Sequence, residues 1–394
     1  MSFAIALSGI NAINEDLDTI SNNIANSSTY GFKSSRSNFA AMYAGTQPTG
    51  TEVSSLTQSI DIGGSVQTTG RSLDAALQGR GFFVTRDSSG AEVYTRAGIF
   101  STDKNGYIVD SFNRKVQGYA AVPGTTTLGA MGNLQVPPGQ IAATPSSTLQ
   151  YVGNLSADWV APAAAFDHTD ATSYNGSVVS VVYDSLGVQH SVAQYFVKTG
   201  TNQITSHYTF DGTDLPTTQV LSFDTSGQLV TPAAPVTLNL GTPAGAAALA
   251  VAVNYSGTTQ SAGEATTTTN AANGYASGSL TGVQLAADGS IQAQYSNGQK
   301  QTIGTVALAT FPDENELVPI SETAWAASNE SGTPLYSTPG SGTAGKLTAG
   351  ALEQSNVDMT AQLVDLMSAQ RNYQANTKVI STEDQMIQNL IQAV

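Results

Sequence analysis

The sequence contains no cysteine and few charged residues. Without thiols, neither disulfides nor thiolate metal sites can form. Charged residues make up 11% of the 394 positions, less than half the usual share of about 25%. Only 14 residues are Lys or Arg against 29 Asp or Glu, which gives a formal net charge of −15. Because a polyanion requires clustered basic residues, we expect no nucleic-acid partner.

Long apolar runs are also missing. The longest weakly polar run, residues 244–253, is too short to cross a bilayer, for which about 20 apolar residues are needed. No basic residue precedes Lys33 and no apolar core of a leader is present, so we expect no Sec-type signal peptide. The sequence therefore predicts no membrane insertion, and either a soluble protein or one exported with its N-terminus retained.

Motifs of catalytic and ligand-binding sites are weak or absent. The run Gly79-Arg80-Gly81-Phe82-Phe83 resembles half of a dinucleotide fingerprint, but it lacks the third glycine and the following helix. The histidines are scattered at His168, His190 and His207, and no Gly-x-Ser-x-Gly elbow occurs. We therefore predict no catalytic residue, no cofactor and no metal site, and a protein that is not an enzyme.

Both ends of the chain carry apolar residues at helical spacing. They recur every three or four positions near the N-terminus and with a seven-residue period near the C-terminus. The remaining positions are mostly Ser, Asn, Gln and Ala, which favours burial among neighbours over a solvated face. We therefore predict two helices and a seam between subunits, the alternative being a core face within one domain. We define the helical seam by these residues: Leu7, Ile10, Ile13, Leu17, Ile20, Ile24, Leu363, Leu366, Tyr373, Ile380, Ile387 and Ile391.

Between the chain ends, the sequence alternates short β-prone runs with turns. Asp87-Ser88-Ser89-Gly90 and Asp103-Lys104-Asn105-Gly106 are typical of hairpin turns. Residues 258–273 are polar and predict a loop, and Ser355–Asp358 predicts a capping box before the last helix.

The predicted fold is mainly β with α-helical termini, a nested multidomain protein in which an outer β-rich domain is inserted into an inner one. We predict these domains: residues 1–31 with 355–394, the paired terminal helices; 32–70, a linker; 71–145 with 274–354, the inner β domain; and 146–273, the inserted outer β domain.

Stretches near both ends of the chain resemble a known family. Ile20–Lys33 resembles the N-terminal signature of bacterial flagellar rod and hook proteins, and Ser355–Met359 with Ala369–Asn376 resembles their C-terminal signature. Gly345–Leu352 is similar to hook proteins in particular. The N-terminal motif residues are Asn22, Asn23, Ala25, Asn26, Thr29, Gly31, Phe32 and Lys33.

The resemblance implies a homopolymer, the flagellar hook: a curved helical tube that transmits torque from rod to filament as a universal joint and leaves a central export channel. It implies that the terminal helices form the inner tube and the inserted domain the outer surface. The implied partners are further copies of the chain, the distal rod protein, the hook cap, the hook–filament junction proteins and the flagellar type III export apparatus. The implied location is the extracellular hook of the basal body, reached without a cleaved signal peptide.

Two alternatives remain at this point. The distal rod protein shares both terminal motifs but lacks a large inserted domain. A secreted β-rich adhesin accounts for the composition but not for the paired stripes at the chain ends.

Overall fold

The computed structural model describes residues 2–122, 127–137 and 139–393, and the chain divides into two compact units. One unit comprises Met1–Pro138, Gly282–Gln294 and Lys300–Val394, and the other comprises Gly139–Thr281 and Tyr295–Gln299. The predicted fold class, mainly β with a helix at each end, is confirmed.

Before the insertion, the first unit contains helix α1 (Ser2–Ala25) and ten strands in its described residues. β1 and β2 form an antiparallel hairpin, with Ser35 opposite Gln58 and Ala44 opposite Gln47. The region predicted as a linker thus contains two long paired strands, which the side chains of α1 hold by hydrogen bonds. The strand bounds are β1 (Ser35–Ala44), β2 (Gln47–Gln58), β3 (Val66–Thr68), β4 (Ala75–Gln78), β5 (Phe82–Arg86), β6 (Glu92–Thr95), β7 (Phe100–Thr102), β8 (Ile108–Asp110), β9 (Lys115–Ala121) and β10 (Leu128–Asn133).

The second unit is built on two five-stranded sheets. β13 to β17 pair in chain order as an antiparallel meander, and the other sheet has the order β18-β19-β12-β20 with β21 also on β12. Side chains from both sheets, such as Tyr151, Phe196 and Val251, share one buried cluster, which is the arrangement of a β-sandwich. The strand bounds are β11 (Gln140–Ile141), β12 (Thr148–Ser156), β13 (Gly176–Tyr183), β14 (Gln189–Gly200), β15 (Gln203–Phe210), β16 (Thr213–Phe223), β17 (Leu229–Thr231), β18 (Val236–Asn239), β19 (Ala250–Asn254), β20 (Thr259–Ser261) and β21 (Thr266–Ala272).

The loop predicted over residues 258–273 is wrong, because β20 and β21 occupy most of it. β21 pairs antiparallel with β12, from Leu149 opposite Ala272 to Asn154 opposite Thr266. Threonine is β-branched and suits a half-exposed strand. A polar run without apolar alternation can therefore pair with a buried neighbour.

The returning chain completes the first unit. In it, strands pair in the order β22-β23-β24-β9-β5-β6-β27-β26. Phe82, Trp325 and Phe311 lie in its buried cluster, with the Phe82 and Trp325 ring centroids 5.3 Å apart. The bounds are β22 (Gly278–Leu285), β23 (Ser290–Tyr295), β24 (Lys300–Val306), β25 (Leu308–Thr310), β26 (Val318–Ile320), β27 (Ala324–Ala326), β28 (Leu335–Ser337), β29 (Lys346–Ala349), β30 (Ala351–Glu353) and α2 (Met359–Ala393).

The predicted Asp-x-x-Gly turns are confirmed. The Asp87 carboxylate accepts hydrogen bonds from the amides of Ser89 and Ala91, at 2.8 and 2.9 Å. These bonds satisfy backbone donors where the chain reverses. The same pattern, each time with a glycine of positive φ three residues later, recurs at Asp103, Asp184 and Asp224.

A histidine links two acidic turn residues in the second unit. His190 Nδ1 lies 2.7 Å from Asp211 Oδ2, and its Nε2 lies 3.4 Å from Asp184 Oδ2. Partial burial by itself lowers the pKa of His190, but the hydrogen bonds and charges of Asp211 and Asp184 outweigh it, so the pKa is raised. The protonated imidazole is therefore the form that stabilises this end of the sandwich.

We predict that His190→Gln lowers the melting temperature of the second unit more at pH 5.5 than at pH 8.5. A raised folded pKa stabilises fully below the unfolded value of about 6.5, and that contribution is lost as the pH rises through the folded pKa. At pH 5.5 we expect the His190→Gln chain to melt about 1–3 °C below the native chain. The difference is small because the imidazole is near the surface, where solvent screens its ion pairs. Calorimetry of the full chain at both pH values measures it. If the substitution lowers the melting temperature equally at both pH values, the protonated imidazole is not the stabilising form.

Candidate assembly surface at the paired chain ends

The two terminal helices pack against each other in antiparallel orientation. Asn23 Nδ2 donates to Gln362 Oε1 at 3.0 Å, and a side chain on Gly9 would come within 3.2 Å of Asn376. Since these contacts are fourteen residues apart on both helices, they establish a constant register. The residues that form the contact are Ile13, Ile20 and Ala369, which are buried, and Leu17, Ile24 and Leu366, which are partly buried.

The structure brings only part of the helical seam together. Besides the five seam residues in that contact, Ile10 and Ile380 are of intermediate exposure. The members that remain exposed, between 37 and 71% of their surface, are Leu7, Leu363, Tyr373, Ile387 and Ile391. Single-chain packing therefore covers most of the seam on α1 and leaves apolar side chains exposed at the start of α1 and at several positions along α2.

The buried face of α1 also includes small and polar residues that the stripe of large residues did not predict. Ala6, Ala12, Thr19 and Asn23 are buried, because α1 contacts the β1–β2 hairpin as well as α2. Thr19 Oγ1 accepts a hydrogen bond from Ser37 Oγ at 3.1 Å. Small residues at regular spacing on one side of the stripe were the signal that could have revealed this second contact.

The N-terminal motif lies at the C-terminal end of α1 and in the segment that follows it. Asn23 makes two hydrogen bonds with the Ser35 backbone: its Nδ2 donates to the carbonyl at 2.7 Å, and its Oδ1 accepts from the amide at 2.9 Å. Asn26 Nδ2 donates to the Asn22 carbonyl at 3.0 Å, and Thr29 Oγ1 donates to Asn26 Oδ1 at 3.1 Å. These bonds satisfy the backbone where α1 ends and turns into the hairpin.

A buried ion cluster, defined as Lys33, Arg96 and Glu353, joins the two chain ends. Glu353 Oε1 lies 2.7 Å from Lys33 Nζ, and its Oε2 lies 3.4 Å from an Arg96 guanidinium nitrogen. All three side chains are at most 2% exposed. Lys33 Nζ also donates to the Ile62 carbonyl at 2.7 Å, and the Gly64 amide donates to Glu353 Oε1 at 3.0 Å.

The electrostatics of the ion cluster depend on burial. Burial lowers the pKa of Lys33; the Glu353 carboxylate opposes that shift, and the Arg96 guanidinium adds to it. Arg96 also lies over the Phe82 ring, 5.3 Å from its centroid. Because Phe82 belongs to the core of the first unit, the cluster connects the chain ends to that core.

Residues before α2 also connect the two chain ends, at the junction that the ion cluster forms between them. Asn356 Oδ1 accepts from the Ser34 amide at 2.7 Å, and its Nδ2 donates to the Ser59 carbonyl at 2.9 Å. The predicted capping box is wrong by three residues. Asp358, not Ser355, caps the helix, accepting from the amides of residues 360 and 361 at 2.9 and 3.2 Å. The chain before Asp358 is held in non-helical form by Asn356, so the helix begins later.

A cavity of about 390 Å³ opens beside the paired helices, with Asp16 of α1 and Asp365 of α2 among its lining residues. Burial raises the pKa of Asp16; its hydrogen bond with Ser37 opposes this shift, and the charge of Asp365 adds to it. This polar wall lies beside the apolar contact between the two helices.

Gly31 lies where the chain leaves α1 and passes closest to the β core. Its φ is +71°, and a Cβ at this position would lie 2.7 Å from the Ala97 amide nitrogen and 2.8 Å from the Arg96 carbonyl carbon. Both atoms are backbone, so they have little freedom to move. The Gly31 amide also donates to the Glu353 carbonyl at 2.8 Å.

We predict that Gly31→Ala destabilises the first unit by at least about 3 kcal/mol. A left-handed conformation costs an L-residue about 1–2 kcal/mol, and the clash forces a backbone shift in addition. Gly45→Ala is the matched control, since Gly45 has a φ of +67° with open space around it. Urea unfolding of both variants separates the cost of the left-handed conformation, which both share, from the cost of the clash, which only Gly31→Ala has. Equal loss of stability in the two variants contradicts the close contact at Gly31.

Within the described part of the chain, no helix combines the length and apolar character needed to cross a membrane.

Four family profiles match the chain. They are the flagella basal body rod protein over residues 3–33, the flagellar hook protein FlgE/F/G D1 domain over 76–154, the flagellar basal body protein FlaE D2 domain over 154–275 and the flagellar basal body rod FlgEFG protein C-terminal region over 348–393.

Curated relatives match along the whole chain. The flagellar hook protein FlgE of Salmonella typhimurium is 39% identical over 403 residues, covering 99% of both chains. FlgE of Escherichia coli K12 is 38% identical over 401 residues with the same coverage, and FlgE of Brucella suis is 32% identical over 98% of this chain and 96% of that protein. Among solved structures, Helicobacter pylori FlgE2 has a similar fold, with a TM-score of 0.54 at 14% identity over 73% of this chain and 100% of that one.

Proposed function

We propose that this chain, which belongs to the flagellar hook protein family and is a structural hook subunit, polymerises into a curved tube. In this proposal the tube joins rod to filament as a universal joint and leaves a central channel for export. The observation that carries the proposal is the unfinished packing of α1 and α2. Leu363, Ile387 and Ile391 are 47, 49 and 71% exposed in the single chain.

Exposed apolar residues on adjacent turns of one helix indicate a partner surface. α2 has 35 residues and α1 has 24, so the end of α2 extends past the start of its antiparallel partner. In the tube, neighbouring helices cover this extension. We assign the paired helices to the inner tube on this basis, with the helical seam shared between contacts inside a subunit and contacts between subunits.

The β-rich parts of the chain take the outer positions in this proposal. The strands of the first unit are connected to its helices through the ion cluster, and the second unit is an insertion with its own buried core. In the domain division that we propose, residues 71–145 with 274–354 form the middle shell and 146–273 form the outer surface. The helices of residues 1–31 and 355–394 remain innermost.

A rotating curved tube requires outer contacts that slide. Each row of subunits shortens on the inside of the bend and lengthens on the outside in every turn. Only 11% of the residues are charged, and neutral hydrogen bonds of about 1 kcal/mol each exchange with water and with one another at low net cost. A Ser- and Thr-rich exterior therefore suits sliding contacts, while the inner helices supply cohesion.

The chain also has expected partners and an expected location in the flagellum. The chain is a structural component of the flagellum. We propose that it has no enzymatic activity, is exported by the flagellar type III apparatus with its N-terminus retained, and contacts the distal rod protein, the hook cap and the hook–filament junction proteins at the ends of the polymer. Its outermost β unit then faces the extracellular medium.

We predict that Leu366→Asp abolishes polymerisation. The substitution removes up to about 1.5–3 kcal/mol of apolar burial and places a carboxylate against the cluster of Ile13, Ile20 and Ala369, at a further cost of several kcal/mol. Since every subunit carries the penalty, the tube does not form. Sedimentation and electron microscopy of the purified full chain measure this loss.

Gln370→Asp is the matched control, because Gln370 lies one turn further on and is exposed. It introduces the same charge and leaves polymerisation intact. The melting temperature of the β-rich parts of the two units changes little in either variant, since their hydrophobic clusters do not include Leu366. Normal tubes from the Leu366→Asp chain would refute the role of the helix pair in assembly.

A further inference from the structure

The two terminal helices differ in charge, since α2 carries two basic residues in addition to the acidic Asp365, Glu383 and Asp384. All charged residues of α1 are acidic, namely Glu15, Asp16 and Asp18. The basic residues of the pair, Arg371 and Lys378, are both on α2. Glu15, Asp18, Arg371 and Lys378 are exposed, and none of them forms an ion pair with any described residue of the chain.

These four charges point away from the contact between α1 and α2. Glu15 is two residues after Ile13, and Asp18 is two residues before Ile20. Arg371 is two residues after Ala369, which is the buried α2 residue of the same contact. Since a helix turns by about 100° per residue, two residues place a side chain about 200° away. The acidic pair and the basic pair therefore lie on opposite outer faces of one helix pair.

Glu15 and Arg371 also lie at similar heights along the helix axes, whereas Lys378 lies about 10 Å beyond Arg371 on α2. The register of Gly9 with Asn376 and of Asn23 with Gln362 places Glu15 within one residue of the level of Arg371. Two copies set side by side with little axial displacement thus bring the basic face of one next to the acidic face of the other.

We propose that α2 of one copy packs against α1 of a second copy, with Arg371 beside Glu15 and Asp18 of that copy and Lys378 further along the same basic face; this inference rests on the proposed polymerisation. Val364 and Met367, each 51% exposed, lie on the same outer side of α2 as Arg371 and supply apolar burial. Exposed ion pairs contribute little energy, so the charges select the partner face and the axial register.

The contact is heterologous, because different surfaces of the two copies meet. A heterologous interface repeats from copy to copy and generates a ring or a helical polymer instead of a closed dimer. Two identical faces are kept apart, since acidic faces repel acidic ones and basic faces repel basic ones. The charge arrangement therefore gives the assembly its direction.

Charge reversal tests the pairing in the full chain. One variant carries Arg371→Glu and Lys378→Glu, and a second carries Glu15→Lys and Asp18→Lys. Each alone has like charges on both faces, so we expect its critical concentration for polymerisation to rise by about tenfold or more. Mixed in equal amounts, the two variants have complementary faces, and we expect them to co-polymerise at close to the native critical concentration.

Lys104→Glu with Lys300→Glu is the control for the Arg371→Glu and Lys378→Glu variant, since it makes the same change in net charge at two exposed lysines outside the helices, and we expect it to assemble normally. Circular dichroism verifies that all variants keep their helices. The defect of each single variant also shrinks in 1 M salt, where the Debye length falls to about 3 Å.

Normal assembly of both reversed variants, or a mixture that fails to recover, overturns the pairing while leaving the proposed function standing. Failure of the native chain to polymerise under the same conditions overturns the proposed function itself, and the pairing with it.

Discussion

The buried carboxylate of Glu353 is the interaction on which the arrangement of the chain ends depends. It accepts from Lys33, which follows α1, from Arg96 in the β core, and from the Gly64 amide. Two cations and one anion removed from water are stable only while all partners are present, because an unpaired buried charge costs several kcal/mol. The cluster therefore joins the segment after α1, the strand before α2 and the core around Phe82 into one cooperative structure.

This junction separates folding from assembly. The hydrophobic clusters in the β-rich parts of the two units form within one chain. The helix pair, in contrast, buries only part of its apolar face and leaves charged and apolar side chains on its outer faces. A single chain therefore buries its β-rich cores and still leaves apolar side chains of both helices exposed. Asn23, Asn26 and Asn356 hold the ends of the two helices in position by hydrogen bonds with backbone atoms.

Much of this organisation could be predicted from residue types and spacing. The Asp-x-x-Gly turns and the strands around them follow from local chemistry, and both helices follow from periodicity. The ion cluster could not be predicted, because Lys33 and Glu353 are 320 residues apart and nothing local pairs them. The stripe of large residues also missed Ala12 and Thr19, whose burial depends on a hairpin partner. The threonine-rich β21 was missed because its strand form depends on pairing with β12.

Amide hydrogen exchange of the full chain in its monomeric form tests the junction most directly. In Glu353→Gln, the loss of about 3–5 kcal/mol of buried-pair stability predicts that protection of the Gly31, Gly64 and Gln354 amides falls by about 100-fold or more. The core of the second unit should keep its protection, as should the whole chain in the exposed control Glu330→Gln. Unchanged protection at Gly31 and Gln354 in Glu353→Gln would contradict the account.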